Sequence, residues 1–297
     1  MERFIDPKTL ARVRDMPLIA RTVAEGFLHG IQQSHQRGVG VEFSQYRAYE
    51  PGDDPGRIDW KLFSRSDRYF VREAERESEI AIWFVVDCSR SMAQQSENGA
   101  WSKFDYARHL AATLSFMAQR QGDLTGLLSL SSTAQDILPL ATGERQWFRI
   151  LRQLHTLRAG DQFPDTQQLT THLARLQVPG MVFVLSDFYQ VNDEITDFIR
   201  RLSSSRAELI AMQLQGSDEL EFPYSGPIRF EDLETGEQAL VSGRATRSAY
   251  LEALDQYQSR LRQDLLRLNV PLHSINVDAP MDAALYSFLD RRRRSIA

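Results

Sequence analysis

The chain has a single cysteine, Cys88, in 297 residues, so no internal disulfide can form and a reducing compartment fits. No apolar run approaches the roughly 20 residues a membrane helix needs. The N-terminus mixes acids and bases without an apolar core segment, unlike a secretory signal. A cytoplasmic protein with no membrane span is therefore expected. Positive charge is not in surplus: the formal net charge is −5, which gives nucleic acid no electrostatic footprint. The six histidines are scattered without ligand spacing, and no His-Glu-x-x-His, Walker A loop or Gly-x-Ser-x-Gly elbow occurs. What is present is an apolar share of 42%, enough for a sizeable core in one large or two small domains.

The stretch Ile80–Met92 organises the rest. Residues Ile80 to Val86 are all apolar, and Ile80, Ile82, Val85 and Val86 are β-branched, as in a strand buried on both faces of a parallel sheet. Asp87, Ser89 and Ser91 then follow at alternate positions. A carboxylate and two hydroxyls suit a hard cation such as Mg²⁺ or Mn²⁺, which takes oxygen ligands. The same residues also fit a turn and a helix cap. A second apolar strand, Met181–Leu185, runs into Ser186-Asp187. Two buried strands that each deliver a carboxylate at the C-terminal end are what a doubly wound sheet needs to build one acidic site. Cys88, beside an acid and next to a buried strand, reads as an inert thiol.

Around these strands the elements alternate, which argues for an α/β architecture with a mostly parallel sheet. Residues 1–36 read as helices broken at Pro17, and Val39, Val41 and Phe43 as a half-buried strand. Residues 47–60 form a dense Pro/Gly/Asp loop, in which Asp53, Asp54 and Asp59 are expected to pair with Arg47, Arg57 and Arg65. Ser102-Lys103-Phe104-Asp105 opens a helix as a capping box. A hairpin is inserted at about 226–241. The long helix after it has Leu251, Leu254, Tyr257, Leu261, Leu265 and Leu268 on its apolar face, and Arg291–Arg294 reads as a solvated helix end. The expected division is an N-terminal region, 1–78, and an α/β domain, 79–297.

Taken together, Asp87-x-Ser89-x-Ser91 with Asp187 resembles the metal-ion-dependent adhesion site of von Willebrand factor A domains. Arg47-x-Tyr49-x-Pro51-Gly52-Asp53-Asp54 with Arg57-Ile58-Asp59-Trp60 resembles the signature of the bacterial domain of unknown function 58. Members of that family carry a von Willebrand factor A-like domain and are often encoded beside MoxR-type AAA+ ATPases. The resemblance implies a Rossmann-like doubly wound fold with an N-terminal helical and strand extension and an inserted hairpin. It implies that Ser89 and Ser91 bind Mg²⁺ or Mn²⁺ through their hydroxyls, with Asp87 and Asp187 acting directly or through water. The threonine such sites add from a third loop falls on Gln167 here, so either the loop shifts to present Thr166 or the shell is left incomplete. The implied role is recognition rather than turnover, as an adaptor for a MoxR-type ATPase or its client. Two alternatives stand beside it: a metal-free scaffold in which Asp87, Ser89 and Ser91 only cap the next helix, and a Mg²⁺-dependent phosphohydrolase with Asp87 as nucleophile. The second lacks the usual partner aspartate, since Ser89 holds that position.

Overall fold

The structure is a computed structural model that describes residues 6–13, 15–37, 46–48, 69–72, 80–133, 135–160, 162–165, 168–190, 193–233 and 236–296. It resolves into two compact units, Met1–Leu28 with Glu79–Ala297, and His29–Ser78. The expected region 1–78 is thus divided. Residues up to Leu28 join the larger unit because the helix Met16–Arg37 buries Ile19, Val23 and Phe27 there. The Phe27 ring meets Tyr286 edge-on at 4.9 Å, and the Tyr286 hydroxyl donates to the Phe27 carbonyl at 3.1 Å. As expected, two helices, Pro7–Ala11 and Met16–Arg37, are interrupted just before Pro17, which sits in the first turn of the second helix, where an amide hydrogen has no intrahelical partner to lose.

In the smaller unit, β1 (Tyr46–Ala48) pairs antiparallel with β2 (Phe70–Arg72), with Arg47 opposite Val71. The strand expected over 39–43, the loop from Tyr49 to Trp60 and its aspartate–arginine pairs lie outside the described residues.

The larger unit is built on β3 (Ala81–Asp87), β4 (Leu124–Leu130), β5 (Gln135–Ala141), β6 (Gly180–Ser186) and β7 (Ala207–Gln215). A separate ribbon of β8 (Pro227–Glu231) and β9 (Gln238–Ser242) precedes β10 (Leu272–Asn276). The six-stranded sheet runs β10-β7-β6-β3-β4-β5. Every pair is parallel except β4–β5. Counted along the sheet, this is the doubly wound order 3-2-1-4-5-6. β3 is buried along its whole length, which explains its unbroken apolar run.

Alternate β3 side chains serve opposite faces. Trp83 and Val85 join Val182, Val184, Leu173, Phe198, Leu261 and Leu265 in one core. On the other face Phe84 stacks on Phe183 at 5.6 Å, and Phe183 meets Phe288 of the C-terminal helix. Gly180 starts β6 at φ +150°, and a Cβ there would lie 2.0 Å from the Ala81 carbonyl oxygen, so the close β3–β6 approach requires glycine. At the far edge, β5 carries Pro139, whose carbonyl accepts from Gln146 Nε2 at 2.8 Å, and its register with β4 slips between Thr125 and Leu127.

Candidate functional site

β3 and β6 are neighbours, yet their following connections diverge. After β3 the helix Lys103–Arg120 leads to β4, and after β6 the helix Glu194–Ser203 leads to β7 on the other side. The crevice left at the C-terminal ends of such a strand pair is where open α/β sheets bind ligands. The register pairs Val86 with Leu185, so Asp87 and Ser186 arrive level.

The Ser186 hydroxyl donates to Asp87 Oδ2 at 2.6 Å, and the Ser89 amide donates to Oδ1 at 2.8 Å. Asp87 is 1% exposed. Burial pushes its carboxyl up to about 7, the charge of Asp187 adds to the rise, and the Ser186 hydrogen bond opposes it.

Ser89 caps the short 3₁₀ turn Arg90–Ala93 by position only, because its side chain makes no cap hydrogen bond. Its Oγ instead shares a hydrogen bond with Ser91 Oγ at 3.1 Å. Two cis ligands of an octahedral ion at ~2.1 Å stand ~3.0 Å apart, so this hydroxyl pair fits adjacent positions on one Mg²⁺. The geometry gives the hydroxyls no capping task.

Asp187 is fully buried. Its Oδ1 accepts from the Tyr189 amide at 3.1 Å and its Oδ2 from Lys103 Nζ at 2.8 Å. The following Phe188 is buried at φ +61°, a strained conformation for a residue with a side chain. It is held by its amide donating to Ser186 Oγ at 2.9 Å and by the Tyr257 hydroxyl donating to its carbonyl.

Sequence reasoning missed Lys103 and Glu219. Lys103 is 1% exposed and its ammonium also contacts Glu219 Oε1 at 2.8 Å, with the Tyr189 ring at 4.9 Å. Burial alone would lower its pKa; Asp187 and Glu219 outweigh burial and hold it above the ordinary value. Glu219 is fixed in turn by the Gly216 amide, which donates to Oε2 at 2.7 Å. Of the expected capping box the N-cap half is present: the Asp105 amide donates to Ser102 Oγ at 3.0 Å, and that hydroxyl lies 2.9 Å from Asp105 Oδ2. The signal hidden behind it is a cation in the first helical turn, at the positive end of the macrodipole. Such a residue needs a reason to be there.

Asp87, Ser89, Ser91 and Asp187 therefore converge, while Thr166 and Gln167 lie outside the described residues. Among the described residues no three His, Cys, Asp or Glu side chains gather as a metal cluster, so a cation here depends on the two hydroxyls. The chemistry of the donors fits Mg²⁺, and Asp87 has no cationic partner among the described residues. Cys88 is buried and inert, its thiol pushed up to about 12 by burial and by Asp87.

Beside the crest opens a cleft of about 550 Å³, lined by Ser91, Lys103, Tyr189 and Glu219 on one wall and by ribbon residues such as Leu233 and Glu237 on the other. A larger cavity of about 750 Å³ is lined by Trp101, His109 and His155. His109 has a structural role there. Its Nδ1 is 2.7 Å from the Asp105 carbonyl, and burial lowers its pKa to about 4.

A sheet of this order with one antiparallel edge, and a crest of Asp-x-Ser-x-Ser with a later Asp, define a von Willebrand factor A-like α/β domain. The chain belongs to the family described as protein of unknown function DUF58, which matches residues 45–260. Uncharacterized proteins of Mycobacterium bovis and Mycobacterium tuberculosis are each 27% identical to it over 296 residues, covering 97% of this chain and 91% of theirs. Among solved structures it is similar to the conserved hypothetical protein BatB from Bacteroides thetaiotaomicron (TM-score 0.43, 9% identity, 71% of this chain and 99% of that one). It is also similar to the SpRpn10 VWA domain (TM-score 0.37, 12% identity, 70% of this chain and 94% of that one). The fold assignment rests on the strand order rather than on these likenesses. No described helix is long and apolar enough to cross a membrane.

Proposed function

We propose that the crest is a metal-dependent protein-binding site and that the protein is an adaptor rather than an enzyme. The observation that carries this is the Ser89–Ser91 hydroxyl pair, 3.1 Å apart and free of capping work, beside a buried Asp87. Asp87, Ser89 and Ser91 would hold Mg²⁺ or Mn²⁺, with Asp187 near it and Thr166 as the further candidate ligand. Bound there, the cation would supply an open coordination position for a carboxylate of the partner. Turnover is less well supported. Asp87 is buried with both oxygens engaged, and Ser89 stands where a phosphohydrolase of this kind carries its second aspartate. The cleft beside Ser91 gives a partner segment room to lie across the crest. A cytoplasmic MoxR-type AAA+ ATPase, or its client, is the partner we propose from the family resemblance.

Calorimetric titration with Mg²⁺ and Mn²⁺, followed by affinity capture from cell extract with metal or with chelator, tests the proposal. Wild type is expected to bind metal and to retain an AAA+ ATPase only with metal, and Asp87→Ala to lose both. Capture of the same proteins in all samples would remove the metal from the recognition step.

A further inference from the structure

Asp187 meets an ammonium where a metal site of this kind would want a free carboxylate. Lys103 Nζ sits 2.8 Å from Asp187 Oδ2 and 2.8 Å from Glu219 Oε1. The lysine is 1% exposed, and Glu219 is 14% exposed at the side chain. The oxygens that face the ammonium are thus satisfied, and the remaining oxygen of each carboxylate is held by a backbone amide, Tyr189 for Asp187 and Gly216 for Glu219. The cation is held by two carboxylates from separate elements and lies 4.9 Å from the Tyr189 ring, while Ser186 and Tyr257 fix the backbone of Phe188, the residue after Asp187. Placing that cation in the first turn of the helix Lys103–Arg120 runs against the helix dipole, so the carboxylates and not the helix keep it there.

We infer that the Lys103 ammonium is a built-in counter-cation that neutralises Asp187 and so weakens divalent metal at Asp87, Ser89 and Ser91, leaving Glu219 to set how strongly it does so. The inference rests on the proposed metal-binding reading of the crest. A divalent ion seated by Asp87 would be repelled by the ammonium held on the adjoining carboxylate, and in a site shielded from water such a repulsion is little screened. Removing the ammonium leaves Asp187 and Glu219 unneutralised and open to the metal. Removing the Glu219 charge leaves the ammonium undivided on Asp187.

The test is Mn²⁺ binding to the full chain, read by electron paramagnetic resonance of free Mn²⁺, for wild type, Lys103→Met and Glu219→Gln, with near-UV circular dichroism to verify packing. Lys103→Met is expected to bind Mn²⁺ about tenfold more tightly or better, and Glu219→Gln more weakly than wild type. Equal or weaker binding by a folded Lys103→Met overturns the inference and assigns Lys103 a purely structural role. If Lys103→Met does not fold, Glu219→Gln decides: weaker binding supports the inference, and unchanged or tighter binding overturns it. Wild type that binds no Mn²⁺ beside a Lys103→Met that does would support the counter-cation while removing the proposed metal dependence of the native protein. Absence of binding by all three up to millimolar metal overturns both.

Discussion

At the scale of single residues, Asp87 ties the crest to pH. Its carboxyl is raised from 3.8 to about 7, first by burial and then by the charge of Asp187. Between those values the folded protein keeps a proton that the unfolded chain has released. Stability from this group is therefore complete below 3.8 and lost as pH rises to about 7. The thermal midpoint of wild type relative to that of Asp87→Asn, followed from pH 4 to 8, is expected to fall as pH rises. A difference that stays constant would mean that the carboxyl is ionised throughout. The Asp-x-Ser-x-Ser spacing was legible in the sequence because its ligands are local and follow an apolar run. Lys103 was not, because its partners lie 84 and 116 positions away and a sound capping motif already accounted for its surroundings.

At the scale of elements, the helix Gly243–Arg267 shows how far periodicity reaches. Five of its six expected apolar positions lie in the helix and Leu268 is its C-cap; of them only Leu261 and Leu265 are fully buried, while Leu251, Leu254 and Tyr257 are half-buried. The C-terminal half packs on the sheet. The N-terminal half instead sends Tyr250 to Phe222, 4.6 Å ring to ring, near the β8–β9 ribbon. Leu261→Ala is thus expected to cost about 2–5 kcal/mol in urea unfolding, and Leu254→Ala less than about 1.5 kcal/mol. Equal losses would show that the whole stripe is core. Strands were the most legible elements: β3, β6 and β7 are apolar runs ended by polar residues, and buried parallel strands need little else. The ribbon was visible from its turn residues, though not that it forms a sheet of its own. β5 runs antiparallel to β4 because only a short turn joins them, and such a turn cannot carry a parallel crossover.

At the scale of the molecule, the division of residues 1–28 from His29–Ser78 has a practical outcome. A fragment beginning at Glu79 would uncover the surfaces that Ile19, Val23 and Phe27 occupy, each worth roughly 1.5–3 kcal/mol of burial. Compared with the full chain, this fragment is expected to melt at lower temperature and to be cut faster by protease; equal melting would detach the N-terminal helix from the stability of the sheet. The opposite flank carries a different consequence. A bare strand edge is a template on which another chain can polymerise. At the β5 edge, Pro139 has no amide hydrogen to offer a newcomer and the slipped register breaks the regular ladder a newcomer would extend. Fibrous growth is discouraged there, so a flank that would otherwise recruit further copies of the chain is closed to backbone pairing.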